Sequence, residues 1–208
     1  MQPWVRRLRR CAVIKKAERA YWSIASTLPV NAAGTGIMSQ MSPLLIDRGM
    51  SPATAAWLLS VFATSVLFSR LGGGWLIDHF SPRIVAAFVT SAPAAGCALL
   101  LLGDQSITTA TLALLLIGIQ QGAEIDLVGY LLARMFGLRN YASAYGVCVT
   151  SLGLSGSVGV AWFGRSFDAN GDYNTALAIA IPCFLIGAAC LLALGRRIVA
   201  HEPATSSA

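Results

Sequence analysis

The chain has 208 residues, of which 56% are hydrophobic and only 12% charged, with a formal net charge of +6. A soluble domain carries about twice that charged fraction, so a water-soluble globular protein is excluded. The uncharged runs 20–46, 49–69, 84–103, 105–123, 140–164 and 173–195 identify the solvent as lipid. Each can cross a hydrocarbon core, which takes about 20 residues as a helix, and helices satisfy their own backbone polar groups there. The short alternating segments of a β-barrel are absent.

The expected architecture is an all-α integral membrane protein with six transmembrane helices and no soluble domain. Residues 1–19 form a basic segment with seven Lys and Arg. Trp4, Leu8 and Cys11 fall on one helical face, which predicts a cytoplasmic, interfacial helix. The segment lacks the apolar region of a secretory leader. Residues 20–197 form the membrane domain, with spans at about 20–45, 52–78, 84–103, 108–133, 141–165 and 174–195, and 198–208 is a cytoplasmic tail.

The first span carries Asn31, Thr35, Ser39 and Ser42 on one face. Pro29, Gly34 and Gly36 invite a break beside them. Broken helices line transporter sites, so Asn31 and Thr35 are candidate substrate contacts; helix–helix hydrogen bonding is the alternative. The second span carries Arg70, roughly 12 Å from the helix end at Asp78 at about 1.5 Å per residue. A guanidinium keeps its charge and needs an anion, and its planar fork matches a carboxylate. Arg70 is therefore a candidate substrate-binding residue, with snorkelling or a fixed pair with Glu124 or Asp126 as the alternatives. Gly72, Gly73 and Gly74 are expected to let this helix pack tightly.

The fourth span contains Glu124 and Asp126, roughly 15 and 12 Å deep. Charges at such depth are costly, by about 2.5–3.5 kcal/mol at the helix centre, so these carboxylates are candidates for proton coupling, with a structural hydrogen-bonded role as the alternative. They stand about 200° apart on the helix. Glu124 shares its face with Gln120 and Asp126 shares its face with Gly122 and Tyr130, which adds Gln120 and Tyr130 to the candidate substrate contacts. In the fifth span Gly146, Gly153, Gly156 and Gly159 permit close helix approach.

Twelve Lys and Arg fall on the side of the N-terminal segment and two, Arg48 and Arg165, on the other. The positive-inside rule then places both termini in the cytoplasm of a cell membrane. The charge reflects topology and anionic lipid, so no nucleic-acid partner is expected. Five cysteines show no metal spacing, and the two histidines, His79 and His201, lie in a loop and the tail. No nucleophile–base set is present, and the glycine triplet lacks the lysine of a phosphate loop. No enzyme activity, metal or cofactor is expected.

The six spans repeat at an offset of 90 residues: the first with the fourth, the second with the fifth, the third with the sixth. Gly74-Trp-Leu-Ile-Asp78 is echoed by Gly164-Arg-Ser-Phe-Asp168. Three spans per unit invert the second unit relative to the first, as in secondary transporters.

The stretch GGGWLIDHFSPR resembles the cytoplasmic-loop signature of the major facilitator superfamily, matching it at Gly74, Asp78 and Arg83. His79 and Ser81 depart from it, standing where an arginine and a glycine are usual. QGAEIDLVGYLLARMFGLRNYASAYG (121–146) and FDANGDYNTAL (167–177) resemble bacterial monocarboxylate-porter and oxalate/formate-antiporter relatives. The resemblance corresponds to the C-terminal six-helix half of a twelve-span fold. It implies a secondary, alternating-access transporter of a small carboxylate, with Arg70 on the substrate. Gly74, Asp78 and Arg83 would form a loop that latches helices during the cycle. The fifth span lacks the lysine of oxalate transporters, which argues against oxalate. Expected partners are the bilayer, a small anionic solute, protons, and either a second copy or a separate six-helix half. The competing reading is a truncated or structural membrane subunit that does not transport.

Overall fold

The computed structural model describes residues 27–136 and 138–199. The basic segment with Cys11, residues 20–26 and the tail beyond 199 lie outside the described residues. Six helices make up nearly all of that range: α1 (27–47), α2 (Pro52–His79), α3 (Pro82–Leu102), α4 (Ile107–Phe136), α5 (Leu138–Asn170) and α6 (Asn174–Val199).

The connections are short because their residues stop and start helices efficiently. After α1, Gly49 takes a φ of 80°, which a side chain would resist. The reversal is closed by hydrogen bonds from Gly49 N to the Ile46 carbonyl at 2.9 Å and from Met50 N to the Leu45 carbonyl at 3.2 Å. Ser51 then caps α2 by accepting from Thr54 N at 3.1 Å, with Pro52 in the first turn. Ser106 repeats this cap for α4, accepting from Thr109 N at 3.2 Å.

Four helical stretches are apolar and long enough to cross a membrane: Pro52–Leu76, Ile84–Leu102, Tyr141–Asn170 and Asn174–Ala193. The described part of α1 and α4 fall short by composition because polar residues interrupt them, among them Asn31 and Gln40 in α1 and Gln120, Gln121, Glu124 and Asp126 in α4. Both helices are instead heavily covered by their neighbours. Val30, Ala33, Ile37, Met41, Leu44 and Leu45 of α1 are buried, as are Ala110, Ala113, Leu114, Ile117 and Gln120 of α4. The apolar residues among these join Leu58 and Phe62 of α2, Phe163 of α5 and Leu177 and Phe184 of α6 in one core.

In lipid, apolar burial does not drive helices together; close van der Waals packing and interhelical hydrogen bonds do. Two helix pairs use one device for this. Between α2 and α4, Ser65 Oγ donates to the Leu115 carbonyl at 2.8 Å and Ser69 Oγ to the Ile119 carbonyl at 2.5 Å. Gly122 permits the approach, since a Cβ there would stand 2.5 Å from the Val66 carbonyl oxygen. Between α5 and α1, Ser155 Oγ donates to the Leu28 carbonyl, and Asn31 Nδ2 donates to the Leu152 carbonyl at 2.7 Å. Here Gly159 lies against the Ala32 carbonyl and leaves no room for a Cβ. Ser65 and Ser155, and Ser69 and Gly159, stand in the same 90-residue relation as the spans.

The glycine triplet behaves differently from expectation. Gly73 faces Ala123 of α4, but Gly72 and Gly74 have nothing within 4 Å. The face of α2 that packs on α4 runs through Ser65, Ser69 and Gly73, and the two flanking glycines turn away from it. Gly146 and Gly153 of α5 are likewise open, whereas a Cβ at Gly156 would lie 3.2 Å from the Thr35 side chain.

The end of the bundle that holds the α1–α2 and α5–α6 connections is fastened by Arg48. Its guanidinium donates to the Leu100 carbonyl near the end of α3 and, at 3.1 Å, to Asn174 Oδ1 at the start of α6. Burial holds the Arg48 guanidinium below its ordinary pKa, with Asp47 and Asp172 opposing that shift. Beside it Tyr173 stacks on Phe167 and donates to Gln40 Oε1 at 3.2 Å. Burial pushes the Tyr173 phenol up, and the charges of Asp47 and Asp168 add to the effect.

Candidate substrate and coupling site

The polar residues of α4 sit where α4 is most enclosed. Gln120 is 1% exposed and Glu124 8%. They are one helical turn apart, so their side chains meet, and Gln120 Nε2 donates to Glu124 Oε2 at 2.6 Å. The second oxygen of each, Gln120 Oε1 and Glu124 Oε1, is buried without a hydrogen-bond partner, as is Gln121 Oε1. Gly34 of α1 makes room for the two amides: a Cβ there would lie 3.1 Å from both Gln120 Oε1 and Gln121 Oε1. Any larger residue at 34 would press on both.

Gln120 and Glu124 line a narrow, partly open cavity among four helices. Thr27 and Val30 come from α1, Ala86, Val89 and Thr90 from α3, Val128 from α4 and Leu191 from α6. Thr90 is 6% exposed. Apart from the two threonines the rest of the wall is apolar, so the glutamate and the amide supply its strongest polarity.

Asp126 lies on another face of α4 and is exposed, and Arg70 is exposed on α2. Glu124 takes its hydrogen bond from Gln120 and not from Arg70. The structure therefore separates two polar regions that sequence depth alone put at one level. One is enclosed and acceptor-rich around Glu124. The other is open and carries Arg70 on a face of α2 that α4 does not cover, one turn from the bare backbone of Gly74.

The remaining candidates divide as follows. Asn31 and Thr35 face α5, through the Leu152 carbonyl and Gly156. The side chains of Tyr130, Asp78 and Arg83 lie outside the described residues. His79, in the signature stretch, is exposed at the end of α2, with Nδ1 2.9 Å from the Trp75 carbonyl oxygen and its ring stacked on Trp75 at 4.5 Å between centroids. Gln121 was not singled out by sequence, and Gly34 was read only as inviting a break in the first span. Gln121 sits beside Gln120 in a run already polar for a membrane helix, which is the signal that could have found it. Gly34 required knowledge of which helix faces α4.

With fold and site in hand, the chain can be compared with known proteins. The family model of the Major Facilitator Superfamily matches residues 24–208. The chain belongs to the major facilitator superfamily. The monocarboxylate transporter 13 of Rattus norvegicus is 26% identical over 151 residues, 72% of this chain and 35% of that protein. The 4-hydroxybenzoate transporter PcaK of Acinetobacter baylyi is 29% identical over 174 residues, 81% of this chain and 36% of that protein. Among solved structures, the Escherichia coli fucose:proton symporter FucP superposes with a TM-score of 0.64 over 89% of this chain and 44% of that one. At 21% identity that likeness speaks for the fold. This superfamily chain thus spans well under half the length of the transporters it matches, and as a member of that superfamily it is an integral membrane protein.

Proposed function

We propose that the chain forms one six-helix half of a secondary transporter for a small carboxylate, working by alternating access with Arg70 on the solute. The observation that carries this reading is an exposed guanidinium inside an apolar, span-length stretch of α2, on a face that its own bundle leaves uncovered. Such a charge is costly in lipid and is matched by an anionic solute in a polar path. The names of two relatives, a monocarboxylate and a 4-hydroxybenzoate transporter, are consistent with a carboxylate substrate.

The paired serine and glycine contacts of α2 on α4 and of α5 on α1 support an inverted repeat of three helices each. With both termini cytoplasmic, the Gly74–Asp78–Arg83 signature would lie at the cytoplasmic end of α2 and serve as a latch. Glu124 is the better candidate for proton coupling, because it is enclosed and one of its oxygens lacks a donor. Asp126, on the exposed face, is a candidate of a different kind: it can meet water or a partner directly. Asn31, Thr35, Gln120 and Tyr130 remain assigned to the solute path.

The test is uptake into proteoliposomes of a panel of radiolabelled monocarboxylates alongside their neutral amides, with the chain alone and with a co-expressed six-helix half. Saturable uptake of carboxylates and none of amides is expected. Equal uptake of both, or none in either preparation, would reject the reading. Absence of transport in both preparations would instead support the alternative of a non-transporting subunit.

A further inference from the structure

Helices α2 and α3 both pack along α4 but touch each other little. They meet near their connection, where Leu76 packs against Val85 and Val89, and part beyond it. The space between them is a groove of about 580 Å³. Phe68, Gly72 and Leu76 of α2 form one wall and Phe88 of α3 the other, over a floor that includes Ile119 and Ala123 of α4. Phe68 and Phe88 are 68% and 62% exposed, so the groove opens to the outside of the bundle. Beyond its lips the exposed Leu71 and Ile84 continue the same apolar surface. In an integral membrane protein that surface is the interface with the bilayer, and the groove is a recess in it.

The lining decides what enters. It carries no charged side chain. Its hydroxyl protons are already used: Ser65 and Ser69 donate to the Leu115 and Ile119 carbonyls, and Thr64 Oγ1 donates to the Ser60 carbonyl at 2.7 Å. A carboxylate or a sugar finds no donor there, and water needs two to four polar partners to stay in such a place. The occupant is therefore apolar.

Length and position narrow it further. Along α2 the groove runs from Thr64 to Leu76, about 18 Å at 1.5 Å per residue. The membrane-spanning stretch of α2 is Pro52–Leu76, so Leu76 ends that stretch and Thr64 stands at its middle. The groove thus occupies one half of the span. One leaflet is likewise half of a hydrocarbon core about 30 Å thick. A lipid tail running from the membrane face to the midplane has this length, this direction and this polarity.

We propose that the groove is a binding site for one acyl chain of a membrane phospholipid, in the leaflet where α2 ends. In lipid, helices are held by close contact rather than by apolar burial, and an unfilled groove forfeits contacts along both walls. The acyl chain supplies them, filling the space that α2 and α3 leave over α4. The bare backbone of Gly72, with nothing within 4 Å of its Cβ position, lets the chain lie close against α2. Contact on three sides sets this lipid apart from those that touch an open helix face. The site depends on membrane insertion and not on transport.

The test is photolabelling of the chain reconstituted in phosphatidylcholine vesicles that include the same lipid with a diazirine midway along one acyl chain. The protein is dissolved in detergent and washed before irradiation, so that only retained lipid reacts, and adducts are located by mass spectrometry of peptides. Adducts at Phe88 and Ile119 are expected several-fold more often than at Leu185 and Ile186, exposed residues of α6. Gly72→Trp places a ring in the groove without pressing on α4, and should reduce the Phe88 and Ile119 adducts several-fold while those on α6 stay the same. Even labelling of the groove and α6 would overturn the proposal, as would groove labelling undiminished in Gly72→Trp. Should that variant not fold, the smaller Gly72→Leu decides by the same comparison.

Discussion

Glu124 and Arg70 show how little a formal charge says until its surroundings are known. Counted along the sequence both fall well inside their spans, yet Glu124 is buried with Gln120 as its partner, while Arg70 is exposed. The enclosed carboxylate can change its proton only when the bundle opens or water enters. Under the proton-coupling reading, Glu124→Gln is expected to abolish the acceleration of uptake by an imposed pH gradient. Uptake at equal pH on both sides should survive. Transport assays across a pH step check this, and an undiminished gradient response would remove Glu124 from the coupling path. Arg48 is a residue of another kind, a structural cation outside the spans. Arg48→Met keeps much of the stem but leaves the Leu100 carbonyl without its donor. A loss of about 1–3 kcal/mol is expected, read as a lower thermal midpoint in detergent with solute affinity unchanged.

At the scale of helices, the serine and glycine contacts between α2 and α4 and between α5 and α1 determine which faces remain free. Gly122 is the tightest of the α4 glycines against α2. Gly122→Leu would drive a side chain into the Val66 backbone, and overpacking of this sort costs about 1–3 kcal/mol. Thermal unfolding should show that loss, whereas Gly72→Leu, with nothing within 4 Å of its Cβ position, should leave the isolated chain's stability nearly unchanged. Much of this level was legible in the sequence. Uncharged runs bounded by Arg, Asp and Pro point to helices in lipid because charge is expelled from hydrocarbon, and each run overlaps a described helix, although α2, α4 and α5 continue past Arg70, Glu124 and Arg165. Helix contacts were less legible. The glycine triplet of α2 read as a packing surface, yet two of its three members are open, because a run of adjacent glycines points around the helix and only one can face α4. The Asn31–Thr35 stripe read as cavity lining with interhelical bonding as the alternative, and in the structure both residues meet α5. Periodicity shows that residues share a face; it does not show what that face meets. The acceptor cavity was illegible for the same reason, since Thr90 and Gln120 lie 30 positions apart in sequence and meet only through the packing of α3 on α4.

For the whole molecule, the relation to longer relatives sets the main expectation. The chain spans 35% of the rat transporter and 44% of the fucose symporter chain. An exposed Arg70, open glycines on α2 and α5, and exposed Trp57, Leu67, Phe68 and Leu71 leave a broad unpaired surface. If transport requires two six-helix units, the detergent-solubilised protein should have twice the chain mass or carry a second polypeptide. Light scattering combined with size-exclusion chromatography measures this, and a strictly monomeric particle that still transports would contradict the two-unit reading. The most direct measurement of the central claim is carboxylate uptake by Arg70→Ala and Arg70→Lys beside the unaltered chain. Loss of a charge-assisted contact of about 1.5–3 kcal/mol corresponds to about a 10- to 100-fold fall in transport efficiency. The alanine variant is expected to show that fall and the lysine variant, which keeps the charge without the planar fork, an intermediate one. Carboxylate uptake by Arg70→Ala equal to that of the unaltered chain would contradict the account.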